Sequence, residues 1–385
     1  MTVLKAAWLN DPGAQAVCRM LEDAGHSAFF VGGCVRNALI GAEVSDLDLS
    51  TDARPERIMA LAEREGFKAV PTGLEHGTVT IVIDGQPFEI TTFRRDVATD
   101  GRRATVAFAD TIDADAHRRD FTMNALYADP RGIIHDPLDG LPDLRAGHVR
   151  FIDDPGQRIR EDYLRILRFF RFHAWFGDEA AGLDAEGLAA CAAHAEGLES
   201  LSKERIGHEM LRLLAAPDPA PSISAMAQSG ILARVLAGAD AMILPVLVHL
   251  ENEVGLTPDR ILRLAAIGGE GVGDALRLRK VDARRRERLR DAALGDWSTA
   301  ELGYRLGRED GAKALVLRQA AIGQPVDESL LIQLETGSEQ VFPIKAADLQ
   351  PGVQGPALGD ALRRLERDWI DSGFRLTRDA LLKKV

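Results

Sequence analysis

FFVGGCVRNALIG (29–41), followed by SDLDLST (45–51), is the stretch on which the fold turns. Phe29–Val31 are bulky and apolar, as a short buried strand requires, and Gly32-Gly33 then breaks the run. A helix starting near Val35 completes a strand–turn–helix unit. At such a turn backbone N–H groups can approach an anion, and Arg36 offers a cation beside it. Gly32 and Gly33 are therefore candidate phosphate neighbours, although a plain tight turn would use the same two glycines. From Asp46 to Ser50 polar and apolar residues alternate with the period of a half-buried strand. That pattern predicts Asp46 and Asp48 on one face, with Leu47 and Leu49 turned to the core. Two neighbouring carboxylates repel, so the pair calls for a cation. Magnesium, which takes oxygen ligands and bridges carboxylates to phosphates, suits it.

Working outward, Thr78–Ile83 and Phe88–Phe93 read as strands on either side of Asp84-Gly85, a strong hairpin turn. Glu89 lies in the second of them, where alternation can bring it to the same site. It would serve there as a metal ligand or as a base near an attacking 3′-hydroxyl; an ordinary exposed glutamate is the alternative. Three carboxylates around two metal ions about 3.5–4 Å apart make up a site for in-line nucleotidyl transfer. Pro55 opens a helix predicted to reach about Glu65. After residue 150 the strand signals fade, and Ala, Leu, Arg and Glu recur at helical spacing. Pro217, Pro219 and Pro221 form a breaker cluster. The expected division is a catalytic head over 1–150, a helical neck over 151–220, and a helical body and tail over 221–385.

Composition removes other classes. With 385 residues, 46% hydrophobic and 28% charged, the chain reads as two to four packed units of a globular protein. No apolar run approaches the roughly 20 residues of a membrane span, and the first residues lack the order of a secretory signal. Cys18, Cys34 and Cys191 are odd in number and form no CxxC pair, which argues against disulfides or zinc and for a reducing cytoplasm. No GxGxxG follows the first strand, so a dinucleotide-binding oxidoreductase is excluded. A net charge of −12 opposes a simple polyanion binder. The basic run Arg277–Arg290 can be an RNA-facing surface or a solvated helix.

The blocks GGCVRNALIG–DLDLST, FEITTFRRD (88–96), RRDFTMNAL (118–126) and EDYLRILRFFRF (161–172) occur in one order. Together they resemble the class II CCA-adding tRNA nucleotidyltransferase and bacterial poly(A) polymerase family. The resemblance implies an α+β head of the polymerase-β type, with a mixed five-stranded sheet and helices, followed by an all-α neck, body and tail. It implies template-independent addition of C, C and A to the 3′ end of tRNA from CTP and ATP. Two magnesium ions, or manganese, would be held by Asp46 and Asp48. Asn37 departs from the family, where many members carry aspartate.

The resemblance also implies that Arg119 binds phosphate and that Asp120 and Asn124, on one helical face, contact ribose and triphosphate. From spacing alone, a helix-capping network remains open for Asp120. Along a helix expected over 160–173, Asp162, Arg165, Arg168 and Arg171 recur every three residues, a spacing that intrahelical ion pairs on a solvated face would also show. Base chemistry offers another use. Cytosine and adenine each present an amino donor beside a ring-nitrogen acceptor. Asp162 can accept the first and Arg165 can donate to the second. Uracil and guanine reverse the pattern and would leave polar groups unpaired. The family resemblance carries that role to Asp162 and Arg165, and nucleotide or phosphate binding to Arg168 and Arg171.

Four further segments resemble family features. Asp100-Gly101-Arg102 resembles the loop used in switching from C to A, which favours full CCA or A addition. Ile134–Gly140 resembles a head-to-neck connection, and its His135-Asp136 lacks the companion histidines of a second metal site. Ser202–Glu209 resembles a neck block in which Glu204 and Arg205 buttress the helices. Gly352–Leu365 matches the family tail loosely. A poly(A) polymerase, a CC-only or A-only enzyme, and a non-catalytic RNA-binding relative stay open as alternatives.

Overall fold

The computed structural model describes residues 2–100 and 103–384, and only the backbone of 96–100 and 103–106. Two compact units divide at Ala237 and Gly238. In the first, nine strands among the described residues form one seven-stranded sheet and a separate hairpin. They are β1 (Phe29–Val31), β2 (Asp48–Thr51), β3 (Lys68–Gly73), β4 (Thr78–Ile83), β5 (Gln86–Thr92), β6 (Arg94–Asp100), β7 (Arg103–Phe108), β8 (Tyr127–Ala128) and β9 (Ile134–His135). The sheet runs β3-β4-β5-β2-β1-β8-β9, and β6 pairs with β7. It is mixed as expected, since β2 and β5 run parallel while the other ladders are antiparallel. The strand count exceeds the expected five because β8 and β9, two residues each, extend the edge beyond β1. Such short strands carry no periodic signal in the sequence.

Phe88, Ile90, Val79 and Ile81 turn into the core, where α1 (Pro12–Glu22) packs against β5 and buries Ala14, Val17, Cys18 and Leu21. The hairpin turn at Asp84-Gly85 has positive φ at both residues, 50° and 83°, as a two-residue turn between twisted strands requires. After β1 comes α2 (Gly33–Leu39), and after β2 comes α3 (Pro55–Arg64), which starts at the predicted proline. The short α4 (Ile112–Ala116) and α5 (Gly140–Arg145) complete the head. Asp136 accepts the N–H groups of Gly140 and Leu141 at 2.8 and 2.9 Å, so the His-Asp dipeptide shapes a turn.

The helix expected over 160–173 is two helices. α6 (Pro155–Glu161) stops at Asp162, whose φ of −153° and ψ of 106° are extended, and α7 (Leu164–Phe176) starts after Tyr163. Asp162 causes the break by accepting the N–H of Leu164, two residues on, at 3.1 Å. Tyr163 lies flat on the backbone of Gly197, where any Cβ would fall 2.0 Å from the ring. Phe121, Phe151, Phe169 and Phe172 pack at centroid distances of 4.9–6.4 Å and fasten α7 to the segment bearing Asp120. α8 (Ala185–Ala193), α9 (Lys203–Leu214), α10 (Ala220–Gln228) and α11 (Ile231–Val235) close this unit.

The second unit is helical: α12 (Ile243–Glu253), α13 (Arg260–Ile267), α14 (Val272–Ala275), α15 (Lys280–Leu294), α16 (Thr299–Ile322), α17 (Glu328–Ser338), α18 (Ala346–Leu349), α19 (Pro356–Asp371) and α20 (Arg378–Leu382). The basic run lies mainly on α15 and is largely engaged. Arg285 binds Asp259 and Asp310, Arg279 binds Asp282, Arg290 donates to the Ala265 carbonyl, and Arg286 is buried. Trp369, packed by Tyr304, Phe342 and Phe374, centres the core of the last helices. Among the described residues, no helix is long and apolar enough to cross a membrane.

Candidate active site

Asp48 opens β2 directly opposite Glu89 in the parallel ladder, so the two side chains project from one face of the sheet. Both are exposed, while Leu49 and Ile90 behind them are buried. Asp46 does not share the strand. Continuing the register backwards would set it against Pro87, which has no N–H to offer, and β1 has already turned away at Gly32. Asp46 is instead exposed before the strand, where its carboxylate accepts the Ser45 hydroxyl at 2.8 Å. The Asp48 carboxyl opens outward, yet the protein around it desolvates it and raises its pKa. Glu89 raises it further, Arg119 opposes, and Asp46 adds a smaller rise.

Gly32 has φ 70° and ψ −120°, a conformation glycine adopts without strain, and a Cβ there would lie 3.5 Å from Nη1 of Arg119. The turn thereby brings the backbone of β1–α2 against Arg119. Gly33 begins α2, two residues before the predicted start. Arg36, buried on α2, donates to the amide oxygen of Asn124 and, at 2.8 and 3.1 Å, to that of Asn37. Asn37 in turn donates to the Glu43 carbonyl at 2.8 Å, so the residue that departs from the family pattern holds Arg36 and the following loop. Burial lowers the Arg36 pKa to about 10.

Residues 117–127 do not form the expected helix. A single 3-10 turn, Thr122–Asn124, leads into β8. Asp120 and Asn124 nevertheless meet: one Asp120 oxygen accepts from Asn124 and from the Phe121 N–H, each at 2.9 Å, and the other takes the Arg168 guanidinium, with Nε at 2.7 Å. Burial opposes ionisation of Asp120, but Arg168 and these hydrogen bonds prevail and hold its pKa at about 2. Asp115, fully buried, binds Arg118 at 2.7 Å, Arg119 at 2.9 Å and the Tyr127 hydroxyl at 2.8 Å. Burial pushes its pKa up, yet the two arginines bring it well below the carboxylate range. Arg119, which also donates to Tyr127 at 3.1 Å, is strengthened as a cation because Tyr127 and Asp115 outweigh its burial.

One cleft of about 320 Å³ gathers Arg119, Asp120, Asp162, Arg165 and Arg168 from the predicted set, together with Arg118, Leu164 and Arg205. Arg171 stands apart. It is buried against Glu209 at 2.5 Å and lies over the Phe172 ring at 4.6 Å, so its charge is spent within the helices. Asp162 and Arg165 do not pair with each other. Asp162 accepts Arg205 at 2.7 Å, and Arg165 donates to Glu161 at 2.5 Å, to the Arg158 carbonyl at 2.7 Å and to the Arg118 carbonyl at 3.1 Å. Asp115 and Glu161 escaped the sequence reading, although each lies three or four residues from the arginine it holds, a visible helical spacing. Glu209, 38 residues from Arg171, and Arg205, 43 from Asp162, left no such trace. Of the Asp100-Gly101-Arg102 segment, Gly101 and Arg102 lie outside the described residues.

Residues 28–150 match the "Poly A polymerase head domain" family, and 183–243 match the "Probable RNA and SrmB- binding site of polymerase A". A mouse protein, Mus musculus "CCA tRNA nucleotidyltransferase 1, mitochondrial", is 30% identical over 97% of this chain and 89% of its own length. The "CCA-adding enzyme" of Levilactobacillus brevis is 39% identical over 57% of this chain and 54% of its own. Among solved structures, the Bacillus stearothermophilus CCA-adding enzyme in complex with CTP superposes with a TM-score of 0.70, at 26% identity over 94% of both chains. With the head sheet, the helical remainder and the charged cleft on one scaffold, the chain belongs to the CCA-adding tRNA nucleotidyltransferase family built on the poly(A) polymerase head.

Proposed function

We propose that this protein adds C, C and A in turn to the 3′ end of tRNA, taking CTP and ATP and releasing pyrophosphate without a template. In each step the RNA 3′-oxygen bonds to the α-phosphorus while the α–β phosphoanhydride bond breaks. The observation that carries the reading is how Asp162 and Arg165 are spent. Of four acceptor positions on the Asp162 carboxylate, Leu164 and Arg205 occupy two. Of five donors on Arg165, Glu161 and two carbonyls occupy three. Fixed acceptors and fixed donors thus remain in one cleft, a pattern that suits the amino group and ring nitrogen of cytosine or adenine and mismatches uracil and guanine.

Arg119 and Arg168 supply cations at the same cleft, suited to the triphosphate, and the Asp120–Asn124 pair is placed to meet ribose. The Asp48–Glu89 face suits a hard divalent ion. It offers only carboxylate oxygens, Arg119 offsets part of their mutual repulsion while the Asp48 pKa stays raised, and they are too few for an all-protein cage, the usual state of a magnesium site completed by substrate phosphates. Asp46 and Asp48 would hold magnesium, as two ions, or manganese, and the metal would supply activation of the 3′-hydroxyl and neutralisation of the departing pyrophosphate. Glu89 would take part as a further ligand or as the base receiving the hydroxyl proton. In this scheme the head (1–150) performs transfer, the neck (151–220) reads the base, and the body and tail (221–385) hold tRNA. A cytoplasmic setting accords with three unpaired, buried cysteines.

The test is extension of a tRNA transcript ending at the discriminator base, resolved to single nucleotides, with each nucleoside triphosphate alone and with all four. Three additions, C, C and A, followed by a stop are expected. Long A tails would replace the reading with poly(A) synthesis, and a stop after two C's or addition of A alone with a partial enzyme.

A further inference from the structure

Arg205 lies on the first turn of α9, and its Nη2 donates to Oδ2 of Asp162 at 2.7 Å. The other Asp162 oxygen receives the Leu164 N–H at 3.1 Å. Without Arg205, one tether would remain. The terminal torsion of an aspartate is broad and nearly two-fold, so one tether leaves the carboxylate free to swing. With two tethers from different elements, its plane is set. Arg165 is already held by three acceptors that do not involve Arg205. The acceptor half of the cleft therefore hangs on one partner side chain, whereas the donor half is shared among three acceptors.

Stability gives a poor account of this contact. Side-chain exposures of 29% for Arg205 and 30% for Asp162 leave the pair open to water, where an ion pair contributes little to folding. The same openness places it on the wall of the nucleotide cleft. We propose that Arg205 is a specificity-determining positioning residue, which clamps Asp162 so that its free lone pairs meet the amino group of cytosine or adenine. The proposal rests on the reading of Asp162 and Arg165 as the base-selecting pair.

The experiment compares Arg205→Gln and Arg205→Lys with the unaltered full-length protein, measuring kcat and KM for CTP, UTP, ATP and GTP on tRNA ending at the discriminator base or after CC. Losing one charged hydrogen bond corresponds to about a tenfold to hundredfold change. Arg205→Gln is expected to lose that much of the CTP/UTP and ATP/GTP ratios of kcat/KM, with an unchanged melting temperature. Arg205→Lys, which keeps a cationic donor, is expected to recover most of the loss. Equal losses for all four nucleotides would overturn the proposal and make Arg205 a phosphate contact, and unchanged ratios would overturn it outright. Asp162→Asn run alongside separates the two levels. If it relaxes the ratios while Arg205→Gln does not, only the role of Arg205 fails; if it too leaves them intact, the base-reading assignment falls as well.

Discussion

Asp48 and Glu89 stand opposite each other across the parallel ladder of β2 and β5, two carboxylates on one open face with buried apolar neighbours behind. A fold gains nothing from like charges so placed. Replacing Asp48 with alanine is expected to leave the melting temperature unchanged or higher, by relief of repulsion. Loss of an outer-shell partner alone costs a metal site about 10–100-fold, so nucleotide addition should fall by more than about a hundredfold. Near-normal turnover of Asp48→Ala with magnesium would remove Asp48 from the site.

Arg165 tests the donor half of base choice. Arg165→Ala deletes charge-assisted donors worth about 1.5–3 kcal/mol. Discrimination of CTP against UTP should shrink by about tenfold or more before nucleotide binding is lost. Steady-state kinetics with both substrates reads this directly; a preserved ratio at reduced turnover would mean that the choice is made elsewhere.

Asp115 is the keystone of the cationic side of the cleft. Asp115→Asn would leave Arg118 and Arg119 beside a neutral amide in a fully buried position. Breaking a buried pair costs about 3–5 kcal/mol, so denaturant unfolding should show a large loss, and the KM for ATP should rise as Arg119 loosens. Tyr127→Phe, which removes only a hydroxyl from the same network, should show a smaller effect in the same direction.

Acid stability follows from Asp120, whose folded pKa of about 2 lies below its ordinary 3.8. A depressed carboxylate contributes stability that is fully present above the unfolded value and is lost as pH falls through the folded one. The contribution, about 2 kcal/mol, should therefore be complete above pH 4 and vanish towards pH 2. Stability curves of the unaltered protein and Asp120→Asn should converge across that window. A constant gap would contradict the ionic role of Asp120.

The thiols should be silent in the folded protein. Burial raises Cys34 to about 11 and Cys18 to about 12, and it raises Cys191 as well, so none is a thiolate near neutrality. Titration with a thiol reagent should find no fast-reacting group until denaturant exposes all three cysteines.

Much of this molecule was legible in its residues, for reasons that differ from place to place. Strand β5 and its turn could be read because alternation and Asp-Gly are local, and α3 because Pro55 marks its start. Local pattern failed where a side chain overrode it. Asp162 interrupts a convincing helical repeat by capping Leu164, and Pro87 denies Asp46 a place in the strand that its alternation suggested. Gathering five predicted residues at one cleft was foreseeable from the motif blocks. The fate of Arg171 was not, because Glu209 comes from a distant helix and competes for a charge that spacing alone assigns to the site.

Behind the cleft, the ring of Phe172 has the guanidinium carbons of Arg36, Arg168 and Arg171 at 5.2, 5.3 and 4.6 Å from its centroid. Arg36 and Arg171 are buried, out of reach of mobile counterions. Dissolved salt weakens charges that face water and hardly touches those sealed in protein. RNA phosphates gripped at an outer surface are released steeply as salt rises. Rising ionic strength should therefore leave the packing of Arg36 and Arg171 about Phe172 unchanged, while any grip on RNA phosphates at an outer surface weakens.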